Sequence, residues 1–279
     1  MRIYGVDFTS APKRSKPIAV ALCELADGEL RWQGYLALLG FDEFEAFLDR
    51  SGPWVAGLDF PFGQPRKLIE DLGWPGCWAG YVKHVSGMSL RAFADTLAQY
   101  RSGRPPGAKH LYRHTDLRAS ACSPMMLHGV PVGRMFYHGA PRLLRSGASI
   151  VPCCPVGGRR VVVEAYPALV ARRFIGQRSY KSDDRRKQTP EREEARRALV
   201  AGLCSDLLGA DYDLQLALED SQVESLVGDP SGDRLDALLC AIQAAWAHSR
   251  RGQGYGVPRD CDPLEGWIVD PSTLDHMNG

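Results

Sequence analysis

Three short apolar runs, each ending on an acidic residue, constrain the fold of this chain more than any other feature. The runs end at Asp7, Asp59 and Glu164. Mainly apolar runs of this length, bounded by loop signals, are typical of strands buried on both faces of a sheet. A carboxylate at such a strand end is costly to desolvate unless it meets a cation or stays hydrated. Because ligands of α/β sheets bind just outside the carboxyl ends of strands, the three acids predict one functional site.

The order of the predicted elements indicates an α/β fold. Strands are predicted at about residues 2–8, 17–25, 29–38, 54–59 and 160–164, with helices from Asp42, at 168–175, through Leu199–Leu208 and from Ser231. Asp27 and Gly28 supply a tight hairpin turn between the second and third strands. This is the element order of an RNase H-like domain, a mixed five-stranded sheet of order 3-2-1-4-5 flanked by helices. In that order Asp7, Asp59 and Glu164 line one edge, on strands about 4.8 Å apart.

Residues 60–158 lack the strand and helix rhythm of their flanks and are too long for a plain connection. We expect residues 1–279 to form a single domain in which this stretch is an inserted, partly helical, substrate-facing subdomain. Its Arg113, Arg118 and Arg134 accompany aromatic residues, a combination that suits phosphate contacts and base stacking. A merely solvated basic surface is the alternative.

Two further acids, Asp233 and Asp236, are spaced to face nearly the same way on the first turns of the last helix. The positive end of that helix helps to keep both ionised. Mg²⁺ or Mn²⁺ prefers such oxygen ligands, and a pair of these ions can activate water and stabilise the leaving oxygen of a phosphodiester. Asp7 is the natural bridging ligand, with Asp59 and Asp236 as terminal ligands. Asp233 could instead serve only the helix N-terminus.

The motifs taken together resemble a known family. They are Gly5-Val6-Asp7-Phe8, Gly57-Leu58-Asp59-Phe60-Pro61-Phe62-Gly63, Glu164-Ala165-Tyr166-Pro167, Tyr180-Lys181, Asp233-Arg234-Leu235-Asp236-Ala237 and Glu265-Gly266-Trp267-Ile268. As an ordered set they are similar to the predicted nucleases with an RNase H-like fold known as domain of unknown function 429. The resemblance implies catalytic roles for the Asp7, Asp59, Asp233 and Asp236 carboxylates, with Glu164 as an additional acid. It also implies that Lys181 reaches the site and binds substrate.

Composition limits the remaining function classes. Lys and Arg number 34 against 33 Asp and Glu, so the net charge of +1 gives no global attraction to nucleic acid or membrane. No apolar run approaches the roughly 20 residues that span a bilayer, and we expect a cytoplasmic protein without a membrane partner. The eight cysteines include no Cys-x-x-Cys pair, which leaves a zinc cluster without support.

These observations predict a metal-dependent nuclease that hydrolyses phosphodiester bonds of DNA or RNA. Two alternatives stay open. The first is an actin-like or sugar-kinase-type phosphotransferase, which would need a second domain copy and a glycine-rich phosphate loop. The second is a non-catalytic nucleic-acid-binding module that retains the fold.

Overall fold

The computed structural model describes residues 1–274 and has a mixed α/β architecture, with a sheet of seven strands flanked by helices. The strands are β1 Arg2–Asp7, β2 Ile18–Ala26, β3 Glu29–Leu38, β4 Trp54–Leu58, β5 Ser149–Val151, β6 Arg160–Glu164 and β7 Gln215–Ala217. Their order across the sheet is β5-β6-β4-β1-β2-β3-β7. Strand β2 is antiparallel to β1 and β3, and the other neighbouring pairs are parallel.

The sheet has two strands more than the five predicted from the sequence. The additional strands, β5 and β7, have three residues each and lie at the two edges. Runs of this length are too short for an alternating pattern to be recognised. By contrast, the predicted β2–β3 hairpin is present, and Asp27 and Gly28 have φ angles of 50° and 80°. A two-residue hairpin turn of type I′ requires positive φ at both central residues.

Helices cover both faces of the sheet. They are α1 Phe41–Leu48, α2 Arg66–Asp71, α3 Trp78–Ser86, α4 Leu90–Ser102, α5 His114–Ala119, α6 Val132–Ser146, α7 Pro167–Ile175, α8 Pro190–Leu203, α9 Asp206–Tyr212, α10 Asp220–Val227 and α11 Asp233–Ser249. One core joins the sheet to α1, α2, α3, α4 and α6, and the other joins it to α7 through α11. No helix within residues 1–274 combines the length and apolar character needed to cross a bilayer.

One predicted helix is divided in the structure. The apolar pattern through Leu199–Leu208 predicts one element, but α8 ends at Leu203 and α9 begins at Asp206. Ser205 separates them, because its hydroxyl accepts the backbone N–H of Leu207 at 3.3 Å and caps the second helix. The last helix also begins two residues after the predicted Ser231, at Asp233.

Helix α11 packs with its backbone directly against the middle of the sheet. A Cβ added at Gly5 of β1 would lie 1.9 Å from the Ala237 carbonyl oxygen, and one added at Gly57 of β4 would lie 2.4 Å from the Cys240 carbonyl oxygen. Only glycine leaves room for this approach. The contact brings the first turn of α11 beside the carboxyl ends of β1 and β4.

We expect Gly5→Ala to lower the free energy of unfolding by about 3 kcal/mol or more, since the added methyl must push a helix backbone off the sheet. Urea unfolding followed by circular dichroism measures the change. Gly157→Ala is the matched control, because its Cβ would meet open space and its backbone is not left-handed. A Gly5 variant as stable as the control would show that α11 does not pack as described.

Candidate active site

Asp7 and Asp59 lie side by side at the carboxyl ends of two paired strands. Val6 and Leu58 are register partners in the parallel β1–β4 pair, and the Asp59 amide donates to the Val6 carbonyl at 2.9 Å. The two aspartates therefore occupy neighbouring positions on strands about 4.8 Å apart. Because side chains alternate along a strand, both project to the face that carries Gly5, Gly57 and α11. Each is partly exposed.

The first turn of α11 adds two more carboxylates on this face. Asp233 is 8% exposed and lines the same cleft as Asp7. Asp236 is fully buried, and both of its oxygens are occupied: the Tyr180 hydroxyl donates to Oδ1 at 2.5 Å and the Lys181 ammonium donates to Oδ2. The helix N-terminus is capped by Asp229, whose carboxylate accepts the amides of Ser231 and Arg234. Asp233 is thus not needed as the cap.

Lys181 is the cation of this group of carboxylates. Its ammonium pairs with Asp236 and also acts electrostatically on Asp7, Asp59 and Asp233. Its side chain passes over Gly232, where a Cβ would lie 2.7 Å from the Lys181 Cβ. Gly232 has a φ of 75°, so the start of α11 leaves space for the lysine and turns in a left-handed conformation. With 43% of its side chain exposed, Lys181 remains accessible from the cleft.

Burial and crowding disfavour the ionised forms of the strand-end acids. Burial raises the pKa of Asp7 to about 8, the Lys181 ammonium opposes the rise, and the neighbouring Asp233 and Asp59 add to it. Burial likewise raises the pKa of Asp59 to about 7, again against the effect of Lys181. The pKa of Asp233 is raised mainly by burial. Such shifts accompany functional sites more often than structural ones.

Glu164 ends β6 at the same edge of the sheet but projects to the other face. Leu58 and Glu164 are register partners, and Ala165, not Glu164, stands beside Asp59. Glu164 is 2% exposed and accepts hydrogen bonds from the Phe62 amide and from two nitrogens of Arg113. The structure therefore brings Asp7, Asp59, Asp233 and Asp236 together and leaves Glu164 on the opposite side.

The expectation that Arg113 contacts substrate is corrected by its hydrogen bonds. It is 1% exposed, and its five N–H groups are all used by Asp116, Glu164 and the Glu265 carbonyl. No donor is left for a phosphate. In the sequence Arg113 looks the same as an exposed basic residue, and only the partners contributed by distant segments distinguish it.

Arg118 also lies away from the carboxylates. Its Nη1 donates to the Thr273 carbonyl at 3.3 Å, its Nε meets the His114 ring, and its guanidinium lies 6.0 Å from the centroid of Trp267. It lines neither of the two cavities beside Asp7 and Asp59. The structure does not bring Arg118 to the candidate site, and its predicted substrate contact stays a prediction.

Arg134, by contrast, lies at the candidate site. It comes from the first turn of α6 in the insertion and lines a cleft of about 630 Å³ together with Asp7, Asp233, Lys181 and Lys16. The buried Nε of Arg134 has no hydrogen-bond partner among residues 1–274. The segment of residues 129–135 thus lines the cleft together with Asp7.

Lys16 and Asp183 are site residues that the sequence reasoning missed. They pair with each other and both line the cleft. A signal was available, since Lys13, Arg14 and Lys16 crowd the loop that directly follows Asp7. A basic loop beside a strand-end acid is a reasonable candidate for substrate contact.

Within residues 1–274, no three His, Cys, Asp or Glu side chains are grouped so as to hold a metal ion among them. The predicted ligand set of Asp7, Asp59 and Asp236 is therefore not assembled as a three-carboxylate site. Both oxygens of Asp236 are already occupied, by Tyr180 and by Lys181. What the structure offers a cation is the neighbouring pair Asp7 and Asp59, with Asp233 and Lys16 lining the cleft that holds Asp7.

Comparison with known proteins gives one match. A family model described as protein of unknown function (DUF429) matches residues 5–262. No curated protein and no solved structure matches the chain. The matched range includes Asp7, Asp59, Lys181, Asp233 and Asp236.

We expect Asp7→Asn to stabilise the protein in metal-free buffer, by an amount that grows with pH. The pKa of Asp7 is about 8 in the folded protein and lies near 3.8 in the unfolded chain. Between these pH values the folded state keeps a proton that the unfolded state has lost, so the free energy of unfolding falls as the pH rises towards 8. Asparagine removes this loss, which amounts to at most about 1.4 kcal/mol per pH unit. Melting temperatures at pH 5 and pH 8 in EDTA test the prediction. Asp95→Asn, on a side chain that is 73% exposed, is the control. A large drop in melting temperature for Asp7→Asn would instead identify a structural aspartate.

We expect Arg113→Met to lower the free energy of unfolding by about 3–5 kcal/mol, because two buried carboxylates would lose their partner. Chemical denaturation measures the loss. Arg118→Met should cost much less, since that side chain is partly solvated and pairs with no buried carboxylate. Similar losses for the two variants would contradict the assignment of Arg113 as a buried structural centre.

Proposed function

We propose that this chain, which belongs to the DUF429 family, is a nuclease that hydrolyses phosphodiester bonds of nucleic acid with the help of Mg²⁺ or Mn²⁺. One observation carries the proposal: Asp7 and Asp59 are neighbours on paired strands, share a face, and stand beside a cleft that also presents Lys16, Arg134 and Lys181. Paired hard oxygen ligands next to three cations suit a substrate that is a polyanion.

The available carboxylates fit a magnesium site of the kind that is completed by substrate. Mg²⁺ usually keeps several waters and is bound through one or two carboxylates plus phosphate oxygens, not by a cage made wholly of protein. Asp7 and Asp59 would hold the ion, and Asp233 would accept a hydrogen bond from one of its waters. Once bound, the metal would supply an activated water and stabilise the leaving oxygen.

The cations have separate roles in this proposal. Lys181, held by Asp236 and oriented by the neighbouring Tyr180, would pair with a phosphate oxygen beside the carboxylates. Arg134 and Lys16, which both line the cleft, would contact the flanking phosphates. Asp236 therefore acts by positioning Lys181, whereas the sequence suggested that it ligates metal.

An RNase H-like fold is part of the proposal. Supporting it, the five strands expected from the sequence are contiguous in the sheet as β3-β2-β1-β4-β6, with the short β5 and β7 outside them. The aspartates of β1 and β4 would then occupy the positions that carry catalysis in that fold. The insertion, including α6, would select the substrate.

The nuclease proposal is tested by cleavage of labelled single-stranded and branched oligonucleotides with Mg²⁺, Mn²⁺ or EDTA. We expect metal-dependent products from the wild type and a loss of at least about a hundredfold for Asp7→Asn and Asp59→Asn, as for removal of one strong transition-state contact. Asp95→Asn, on the outer surface of α4, should cleave like the wild type. Binding without cleavage under every metal condition would favour the non-catalytic module.

A second measurement addresses the cleft cations. We expect Arg134→Met and Lys181→Met each to weaken binding and to reduce the slope of log K against log salt by about 0.7 to 0.9, the value for one phosphate contact. Arg118→Met should leave the slope unchanged. An unchanged slope for both cleft variants would remove their assigned role.

A further inference from the structure

A second cavity lies beside Asp59, separate from the large cleft. Its volume is about 150 Å³, which is room for about five water molecules at roughly 30 Å³ each. It has about a quarter of the volume of the cleft that holds Asp7, which is about 630 Å³. Val130 and Met135 line both this cavity and the cleft that holds Asp7, so the two spaces adjoin along one segment of the insertion.

The cavity wall is mainly apolar and aromatic. Phe60 and Tyr166 follow the ends of β4 and β6, and Val132, Met135 and Ile268 supply aliphatic and thioether surface. Such a lining suits a ring that is hydrophobic on its faces. A phosphate would be repelled by the Asp59 and Glu164 carboxylates of the wall.

Two carboxylates of the wall retain hydrogen-bonding capacity. One is that of Asp59, which the proposed function assigns to the metal ion, and the other is that of Glu164. Arg113 lines the cavity but has no free donor, as described above. Glu164 also lines it, and its Oε1 accepts only from Arg113 Nη2, at 2.6 Å, among residues 1–274. A carboxylate oxygen can accept two hydrogen bonds, so Oε1 offers one open acceptor position. The cavity therefore calls for a flat ring whose edge carries an N–H.

We infer that this cavity binds one unpaired nucleobase of the substrate. The inference rests on the proposed nuclease function and adds the class of nucleic acid to it. The base would insert between the apolar walls and donate an edge N–H to Glu164, while its phosphate stays in the adjoining cleft beside Asp7. A base inside a continuous duplex cannot enter without leaving its stack, so single strands and unpaired positions are selected.

The test uses the full-length Asp7→Asn protein, in which we expect no cleavage, and single strands that are abasic at every position except one, where they carry either 2-aminopurine or a further abasic residue. A base bound against aromatic side chains contributes about 1–3 kcal/mol. We therefore expect the 2-aminopurine strand to bind at least about fivefold more tightly than the abasic strand, with a change in its fluorescence. Equal affinities and unchanged fluorescence would overturn the base pocket alone.

Cavity-filling variants give the decisive comparison. Cys122 is a free, partly exposed cysteine in the cavity wall, and Cys122→Trp or Val132→Phe should reduce the affinity ratio to about one. Cys204→Trp adds the same ring at an exposed cysteine outside the cavity and should keep the ratio. Circular dichroism and melting temperature establish that each variant is folded. A ratio retained in both folded cavity variants overturns the inference.

Failure of the proposed function has a different signature. If Asp7→Asn binds neither strand, and the wild type cleaves nothing with Mg²⁺ or Mn²⁺, the nuclease proposal falls and the base pocket falls with it. If the wild type cleaves but the two strands bind equally, only the base pocket falls. If strands carrying the base bind more tightly and cavity filling abolishes that preference, the inference stands.

Discussion

The contact between the α11 backbone and two glycines of the sheet determines where the candidate site can form. With no side chain at Gly5 or Gly57, the helix lies directly on β1 and β4, the strands that carry Asp7 and Asp59. The first turn of the helix then reaches the strand ends, and Asp233 and Asp236 join the strand-end acids. A helix held at the usual distance by intervening side chains would leave these groups farther apart.

Four carboxylates so close together need a nearby cation, and Lys181 provides one from a separate segment. The lysine is fixed through Asp236, which in turn is fixed by Tyr180 and by its burial. The acids therefore differ in what they do, since Asp236 holds a cation while Asp7 and Asp59 keep raised pKa values and remain partly exposed. A carboxyl group with a raised pKa ionises more readily when a cation lies beside it. Asp7 and Asp59 are therefore suited to bind a cation that arrives with the substrate.

Much of this arrangement could be predicted from local patterns. The strand ends at Asp7 and Asp59, the hairpin turn at Asp27 and the helix that carries Asp236 all have short-range signals. The face to which Glu164 projects and the burial of Arg113 depend on register and on segments far away in the chain, which one sequence does not specify. A local clue did exist for Glu164. The residue two positions before Asp7 and before Asp59 is a glycine, whereas the residue two positions before Glu164 is Val162. That difference separates the strand ends that lie under α11 from the one that does not.

The Arg113 centre also has a consequence for the order in which the chain folds. Its partners lie far away in sequence: Glu164 is 51 residues later and the Glu265 carbonyl is 152 residues later. During synthesis, the hairpin of β2 and β3 can form early, because its contacts are local. Arg113 can pair with Asp116 and Glu164 once residue 164 is available, but its five N–H groups cannot all find acceptors until residue 265 has left the ribosome. The carboxyl end of the sheet is therefore the last region to close, and a nascent chain that stops short of that point leaves the Arg113 hydrogen-bond network incomplete and open to chaperones and proteases.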